Sequence, residues 1–271
     1  MEKVHKARIS TLHSRISKMQ LLKTQVNYIS LIYLSIDLAE AYHMKGKVNQ
    51  AKGDFARAIP DFTMAIKLDS AADADTKSEK IAEHWNYCGQ CYLELGQYED
   101  AQRHFESAIK KNKTNGLFYY NRAQVKAKLD KLEEAVLDYA QALAQNMTSP
   151  EYIFNSNFNR GNCLRRLGRL DESIDDLKKA VSIKPENPSA HNNLGLSHFE
   201  KEEYEEALNE FTKAIGLKPH GLHYNNRGLA LYHIGNLQDA KKDFDAALEK
   251  SNDDPFIYFN RGNVYMNLGE F

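Results

Sequence analysis

Residues 85–108 read Trp85-Asn-Tyr-Cys88-Gly89-Gln-Cys91-Tyr92-Leu-Glu-Leu95-Gly96-Gln-Tyr98-Glu-Asp-Ala101-Gln-Arg-His-Phe105-Glu-Ser-Ala108, and their spacing of small and bulky residues recurs along the chain. The small residue Gly89 is followed by Ala123, Gly161, Gly195, Gly228 and Gly262, at gaps of 34, 38, 34, 33 and 34 residues. Twelve residues after each of the first five comes Ala101, Ala135, Ser173, Ala207 or Ala240. Four further on stands a bulky apolar residue, Phe105, Tyr139, Leu177, Phe211 or Phe244, and three beyond that Ala108, Ala142, Ala180, Ala214 or Ala247. A period of this length marks a repeat architecture, in which each unit buries its apolar face against its neighbours rather than in one central core.

The pattern resembles the tetratricopeptide repeat, a helix–turn–helix unit written W-x2-L-G-x2-Y…A-x3-F…P. Trp85, Cys88-Gly89, Tyr92, Leu95-Gly96, Tyr98, Ala101, Phe105 and Ala108 supply the fullest match. The resemblance implies an all-α right-handed solenoid of about seven repeats, near 39–72, 82–115, 116–149, 154–187, 188–220, 221–254 and an incomplete 255–271. Gly96, Gly168 and Gly235 fall between paired helices, where a left-handed backbone suits glycine. Pro185 and Pro219 stand where a helix must stop. Pro60, inside the second helix of the first repeat, predicts a late or kinked start there. Nine extra residues across Ser70–Lys80 form a loop or a helical extension, and four around Met147–Pro150 break the period again.

Residues 1–38 carry no repeat signature. Ile9, Leu12, Ile16, Met19, Val26, Ile29 and Tyr33 are spaced as on an amphipathic helix, and Lys3, Lys6, Arg8, Arg15, Lys18 and Lys23 make it basic. This segment is read as a cap over the first repeat; a coiled-coil or docking segment and a mitochondrial presequence are the alternatives. The last repeat stops after one helix, leaving Tyr258, Tyr265, Leu268 and Phe271 without the partner helix that normally covers them. The expectation is that the whole protein continues beyond Phe271, and that this chain self-associates end to end through its bare last helix.

A net charge of −1 and a pI near 6.8 supply no field for nucleic acid or an acidic membrane. The run 28–38 is too short and too polar to span a bilayer. Three cysteines and no secretory signal predict a cytoplasmic protein in a reducing compartment. Cys88-Gly-Gln-Cys91 lies inside a predicted helix with no second pair nearby, so both thiols are assigned to packing. His191 and His198 hold the Trp and Tyr positions of the fifth repeat and are also assigned to packing. Glycine-rich phosphate loops, metal-binding histidine pairs and a nucleophile elbow are all missing from the sequence. No catalytic residue, metal or cofactor is therefore predicted.

Counting each repeat from its start, position six is Asn121, Asn159, Asn193, Asn226 and Asn260. Stacked repeats would point these amides into a concave groove, each offering a donor and an acceptor to the backbone of an extended peptide. Asn162 adds a further amide, and Tyr120, Phe158 and Phe259 at position five would supply apolar pockets. The array is similar to the asparagine ladder of the O-GlcNAc transferase and kinesin light chain arms, which implies peptide binding. Asn at this position is also common to the whole repeat family, and inherited consensus is the competing reading. Arg122, Arg160, Arg227 and Arg261 follow directly and are assigned to packing and salt bridges between repeats. The carboxylate clamp of heat-shock co-chaperones maps onto His43, Lys47, Tyr87, Leu117 and Asn121, none of which keeps its residue type. The function expected is a non-catalytic scaffold or adaptor that holds an extended peptide segment of a protein partner. Two alternatives remain: the substrate-recruiting arm of an enzyme lying beyond Phe271, and a structural subunit of a ciliary or transport assembly.

Overall fold

The computed structural model describes residues 38–72, 78–145, 148–250 and 254–269, which form thirteen helices and no strand. The expected basic cap at 1–38 lies almost wholly outside the described residues. The chain divides into two compact units, Met1–Lys113 and Thr114–Phe271. In the first, α1 (38–51) pairs with α2 (Phe55–Ala72), and α3 (Ser78–Glu94) with α4 (Tyr98–Lys111). The second holds α5 (Gly116–Lys128), α6 (Leu132–Ala144), α7 (Pro150–Arg166), α8 (Leu170–Ile183), α9 (Pro188–Glu200) and α10 (Tyr204–Leu217). It continues with α11 (Gly221–Ile234), α12 (Leu237–Lys250) and α13 (Pro255–Leu268). Each odd-numbered helix is the first (A) helix of a repeat, and each even-numbered one the second (B) helix.

Local chemistry sets these boundaries. Asn115, Asn187 and Asp254 accept from the backbone N–H of Leu117, Ala190 and Phe256, each at 3.0 Å, capping α5, α9 and α13. Pro150, Pro188 and Pro255 occupy first turns, where a missing N–H costs nothing. Between A and B helices the chain reverses through one left-handed residue: Gly53, Gly96, Gly168 and Gly235 have φ between +73° and +90°. The same position in the third and fifth repeats is filled by Asp130 (φ +60°) and Glu202 (φ +64°), which bear the strain that glycine avoids. Helices α8 and α10 end two residues before Pro185 and Pro219, as expected.

The 34-residue period has a direct physical cause. A Cβ placed on Gly46, Gly89, Gly161 or Gly195 would lie 2.6–2.8 Å from Phe62, Phe105, Leu177 or Phe211, sixteen residues on. The glycine thus lets a B-helix side chain lie against the A-helix backbone, and those side chains are fully buried. Each such burial contributes about 1.5–3 kcal/mol. Because both partners are fixed by their helix faces, the pair recurs once per hairpin.

The start of α2 differs from expectation, while the insertion after it takes the helical form, one of the two expected. Helix α2 begins at Phe55, five residues ahead of Pro60, so its start is not late. The N–H groups of Arg57 and Ala58 already bond to the Asp54 carbonyl, closing the first turn before the proline is reached. Pro60 and Ala56 are both exposed, so water replaces the donor that proline lacks. The nine-residue insertion is taken up as helix on both sides, since α2 runs to Ala72 and α3 starts at Ser78, a turn before Ala82. Likewise α7 starts at Pro150, a turn before Phe154.

Candidate functional site

Within Thr114–Phe271 each A helix touches the next A helix, α5 to α7, α7 to α9, α9 to α11 and α11 to α13. No B helix comes as near to the following B helix. The A helices therefore line the inner, concave side of this unit. Across the seam between them run side-chain amides. Asn193 Nδ2 donates to Asn162 Oδ1 (2.8 Å), Asn226 Nδ2 to Asn192 Oδ1 (2.9 Å) and Asn260 Nδ2 to Asn225 Oδ1 (3.0 Å). Asn192 Nδ2 links this set sideways to Asn193 Oδ1 at 3.3 Å. Asn159 bonds the buried Tyr139 hydroxyl of the preceding hairpin.

The predicted site residues therefore separate into two layers. Asn121 and Asn226 are buried, and Asn226 is spent on the joint between repeats. Asn159, Asn162, Asn193 and Asn260 are half-buried, so each amide stays partly open to water. Phe158 is half-buried, stacked on Phe154 with centroids 5.7 Å apart. Tyr120 does not wall a groove. It is 6% exposed, its ring meets Tyr139 and Tyr152, and burial pushes its hydroxyl pKa up to about 12. Its hydroxyl accepts from Gln124 at 2.7 Å. Phe259, by contrast, is largely exposed on α13.

The arginines also move from their expected role. Arg122, Arg160 and Arg227 each grip an acid within their own repeat through paired bonds of 2.5–2.7 Å to Asp138, Asp176 and Asp243. Sixteen residues span one A–B hairpin, so the guanidinium meets the B helix of its own repeat. Arg261 instead bridges repeats, to Asp245 of α12 at 2.7 Å, and Arg227 also reaches back to Thr212 of α10 at 3.4 Å. The acids were missed in the sequence, although the signal was present. Asp61, Asp138, Asp176, Glu210 and Asp243 each directly precede the bulky core residue, and all five are buried.

His191 and His198 are buried as expected, and each also bonds a carboxylate: His191 Nδ1 meets Glu210 and His198 Nδ1 meets Glu203, both at 2.6 Å. His191 Nε2 donates to the Pro185 carbonyl at 2.9 Å, tying α9 to the end of the preceding repeat. In the first unit, His84 Nε2 donates to Asp69 (2.9 Å) while the Nδ1 atoms of His84 and His43 share a bond of 2.9 Å. Cys88 and Cys91 are free, fully buried thiols whose pKa burial raises to about 12, which makes them packing residues rather than nucleophiles. Among the described residues no cluster of three or more His, Cys, Asp or Glu could hold a metal ion. No described helix is long and apolar enough to cross a membrane.

Family models described as tetratricopeptide repeat match residues 37–113, 89–150 and 192–255, and one described as TPR repeat matches 161–201. Tetratricopeptide repeat protein 13 of Homo sapiens is 27% identical over 203 residues, covering 72% of this chain and 22% of that protein. BBSome complex member BBS4 of Bos taurus is 25% identical over 230 residues, 84% of this chain and 42% of its own. The chain spans less than half the length of either relative. Among solved structures, YrrB is described as a TPR protein with an unusual peptide-binding site. It is 26% identical with a TM-score of 0.59, over 72% of this chain and 95% of that one.

Proposed function

The chain belongs to the tetratricopeptide-repeat family, and on that premise we propose that it is a non-catalytic scaffold whose concave A-helix face in Thr114–Phe271 holds an extended segment of a protein partner. The observation that carries this reading is the convergence of the A helices along a seam of amides, while their B helices stand apart. The half-buried Asn159, Asn162, Asn193, Asn260 and Phe158 are the proposed contacts. Asn121, Asn226 and Tyr120 lie beneath them and hold the surface in register. An amide that has donated one N–H sideways keeps a second N–H and its oxygen lone pairs, enough to read a peptide backbone. The peptide site described for YrrB supports the same use of the fold. A cytoplasmic setting is part of the proposal, in keeping with three free thiols.

Site-specific photocrosslinking tests this on the full chain. A photoreactive residue at Leu222, 50% exposed on α11, is compared with one at Leu137, 66% exposed on the B helix α6. A partner trapped from cell extract at Leu222 and not at Leu137 is the expected result. The reverse pattern would move binding to the B-helix face, as expected of a structural subunit packed into an assembly. The likeness to a BBSome complex member favours that second reading.

A further inference from the structure

The four positions of each A helix that share the amide seam and the concave surface are two, five, six and nine. In α5, α7, α9, α11 and α13 these twenty positions contain no Asp, Glu, Lys, Arg or His. At the chain's 27% charged content about five charges would be expected by composition alone. Four of the twenty, Tyr120, Asn121, Asn192 and Asn226, are buried, and the other sixteen, half-buried or exposed, are equally without charge. The charges of this unit sit elsewhere: along the B helices, in the Arg–Asp pairs between A and B helices, and at the A-helix C-termini, where Arg166 pairs with Asp130 and Arg165 with Glu200.

The uncharged surface interleaves amides with apolar side chains. At positions two and nine, Gln124, Asn155, Asn162 and Asn263 carry amides and Ser189 a hydroxyl. Leu117, Leu196, Leu222, Leu229 and Phe256, the last 77% exposed, stand at the same two positions and are apolar. In water, a bound segment carrying a charge would lose hydration here and meet no opposite charge in return.

Resting on the groove reading above, we infer that the ligand of this face is an uncharged extended polypeptide segment. Its backbone and neutral polar groups meet the amides, and its apolar side chains lie against Leu196, Leu222, Leu229 and Phe256. Acidic C-terminal tails and basic segments are excluded, since neither finds a countercharge. Binding is driven by apolar burial and neutral hydrogen bonds and so is nearly insensitive to salt.

The test is panning of the full chain against a random 12-residue peptide library displayed on phage. Enriched peptides are then synthesised and their affinities measured at about 50 mM and about 500 mM NaCl. Enriched sequences poor in Asp, Glu, Lys and Arg, with affinities changing less than about twofold between the two salts, are expected. A Leu222→Glu variant should weaken them by about tenfold or more, through one unpaired charge in the groove. That substitution lies at an exposed first-turn position that suits an acid, so the fold is kept, and circular dichroism checks it. Peptides lost in Leu222→Glu that are nevertheless charged and salt-sensitive would overturn this inference and leave the groove reading standing. No enrichment, or enrichment indifferent to Leu222→Glu, would overturn the groove reading and this inference with it.

Discussion

Met44 and Tyr87 stand in the first unit where Asn121, Asn159, Asn193, Asn226 and Asn260 stand in the second. Around them, positions two and nine of α1 and α3 bring Glu40, Lys47 and Glu83, charges that the second unit keeps off these positions. Where the second unit bonds laterally through asparagines, the first does so through His43 and His84, with Asp69 behind them, and through Gln50, which donates to Gln90 at 3.3 Å. Beneath this layer the two units are alike: a small residue sixteen positions before a buried bulky side chain, and the left-handed turn residue. The hairpin frame is therefore indifferent to what is laid across it. Ligand preference and pH response belong to that upper layer and can differ between units of one chain.

Removing the grip on the buried acid should separate the units most. Asp176 is 2% exposed and held by both guanidinium bonds of Arg160, with Lys179 only at 3.5 Å. Arg160→Ala would strand that carboxylate, at a cost of about 3–5 kcal/mol. In the first unit the equivalent acid, Asp61, is shared between the exposed Lys45 (2.7 Å) and Asn49 (2.8 Å). Lys45→Ala should therefore cost no more than about 1 kcal/mol. Hydrogen exchange of peptides from α7–α8 and α1–α2 reads each loss locally, and equal losses would erase the distinction drawn here.

Acid should weaken the first unit next. Burial, helped by the neighbouring His84 and opposed by Glu40, with Lys47 and Lys80 also nearby, lowers the His43 pKa to about 4. An unfolded histidine takes its proton near 6.5, so between about pH 4 and 6.5 the unfolded state binds more protons. Stability is then full above that window and is lost as pH falls through it, by up to about 3 kcal/mol. His104 shifts in the same direction, adding to the effect in α4. Helices α7 and α8 contain no histidine, and exchange in them should stay flat over the same range. Helix α11 should respond in part, because burial also lowers the His223 pKa. A His43→Gln variant that kept the full acid sensitivity of α1–α3 would refute the assignment.

The shared frame should break equally in both units. Gly89→Val and Gly195→Val drive side-chain carbons into the Phe105 and Phe211 rings, already 2.8 and 2.6 Å from a bare Cβ. Each should destabilise its own hairpin by about 1–3 kcal/mol, measured as a shift in urea midpoint at unchanged slope. Ala123, which sits fully buried in the corresponding place in the third repeat, shows that one methyl is tolerated there once packing adjusts, so valine is the sharper probe.

Gly89, Phe105 and their successors made the fold legible, because a steric contact between fixed helix faces forces both residue types at one spacing. The site was less legible for a related reason. Asn193 and Asn226 were visible as a column, but whether an amide faces a ligand or another amide depends on the neighbouring repeat's Asn162 and Asn192, which no single-repeat pattern contains. Tyr120 misled because position five closes against the next hairpin's Tyr152. The acids before each core ring were open to the same counting that found the glycines. Charge ordinarily reads as solvent-facing, however, and only burial shows these carboxylates to be the partners of Arg122, Arg160 and Arg227.

The smallest expected effect tests where the frame is imperfect. Glu202 holds the left-handed turn position (φ +64°) that glycine fills in the repeats before and after it. A left-handed conformation costs an L-residue about 1–2 kcal/mol. Glycine gives back about 0.5–1 kcal/mol of that through its looser unfolded chain. Glu202→Gly should thus stabilise the fifth repeat by roughly 0.5 kcal/mol, a rise of one or two degrees in the melting midpoint. Asp130 is the less suitable site for the same change, because its carboxylate also pairs with Arg166 across repeats at 2.5 Å. Glycine there would remove strain and a bond together. If Glu202→Gly lowered the midpoint instead, the turn would draw stability from the glutamate side chain itself, and the left-handed position could no longer be treated as part of the indifferent frame.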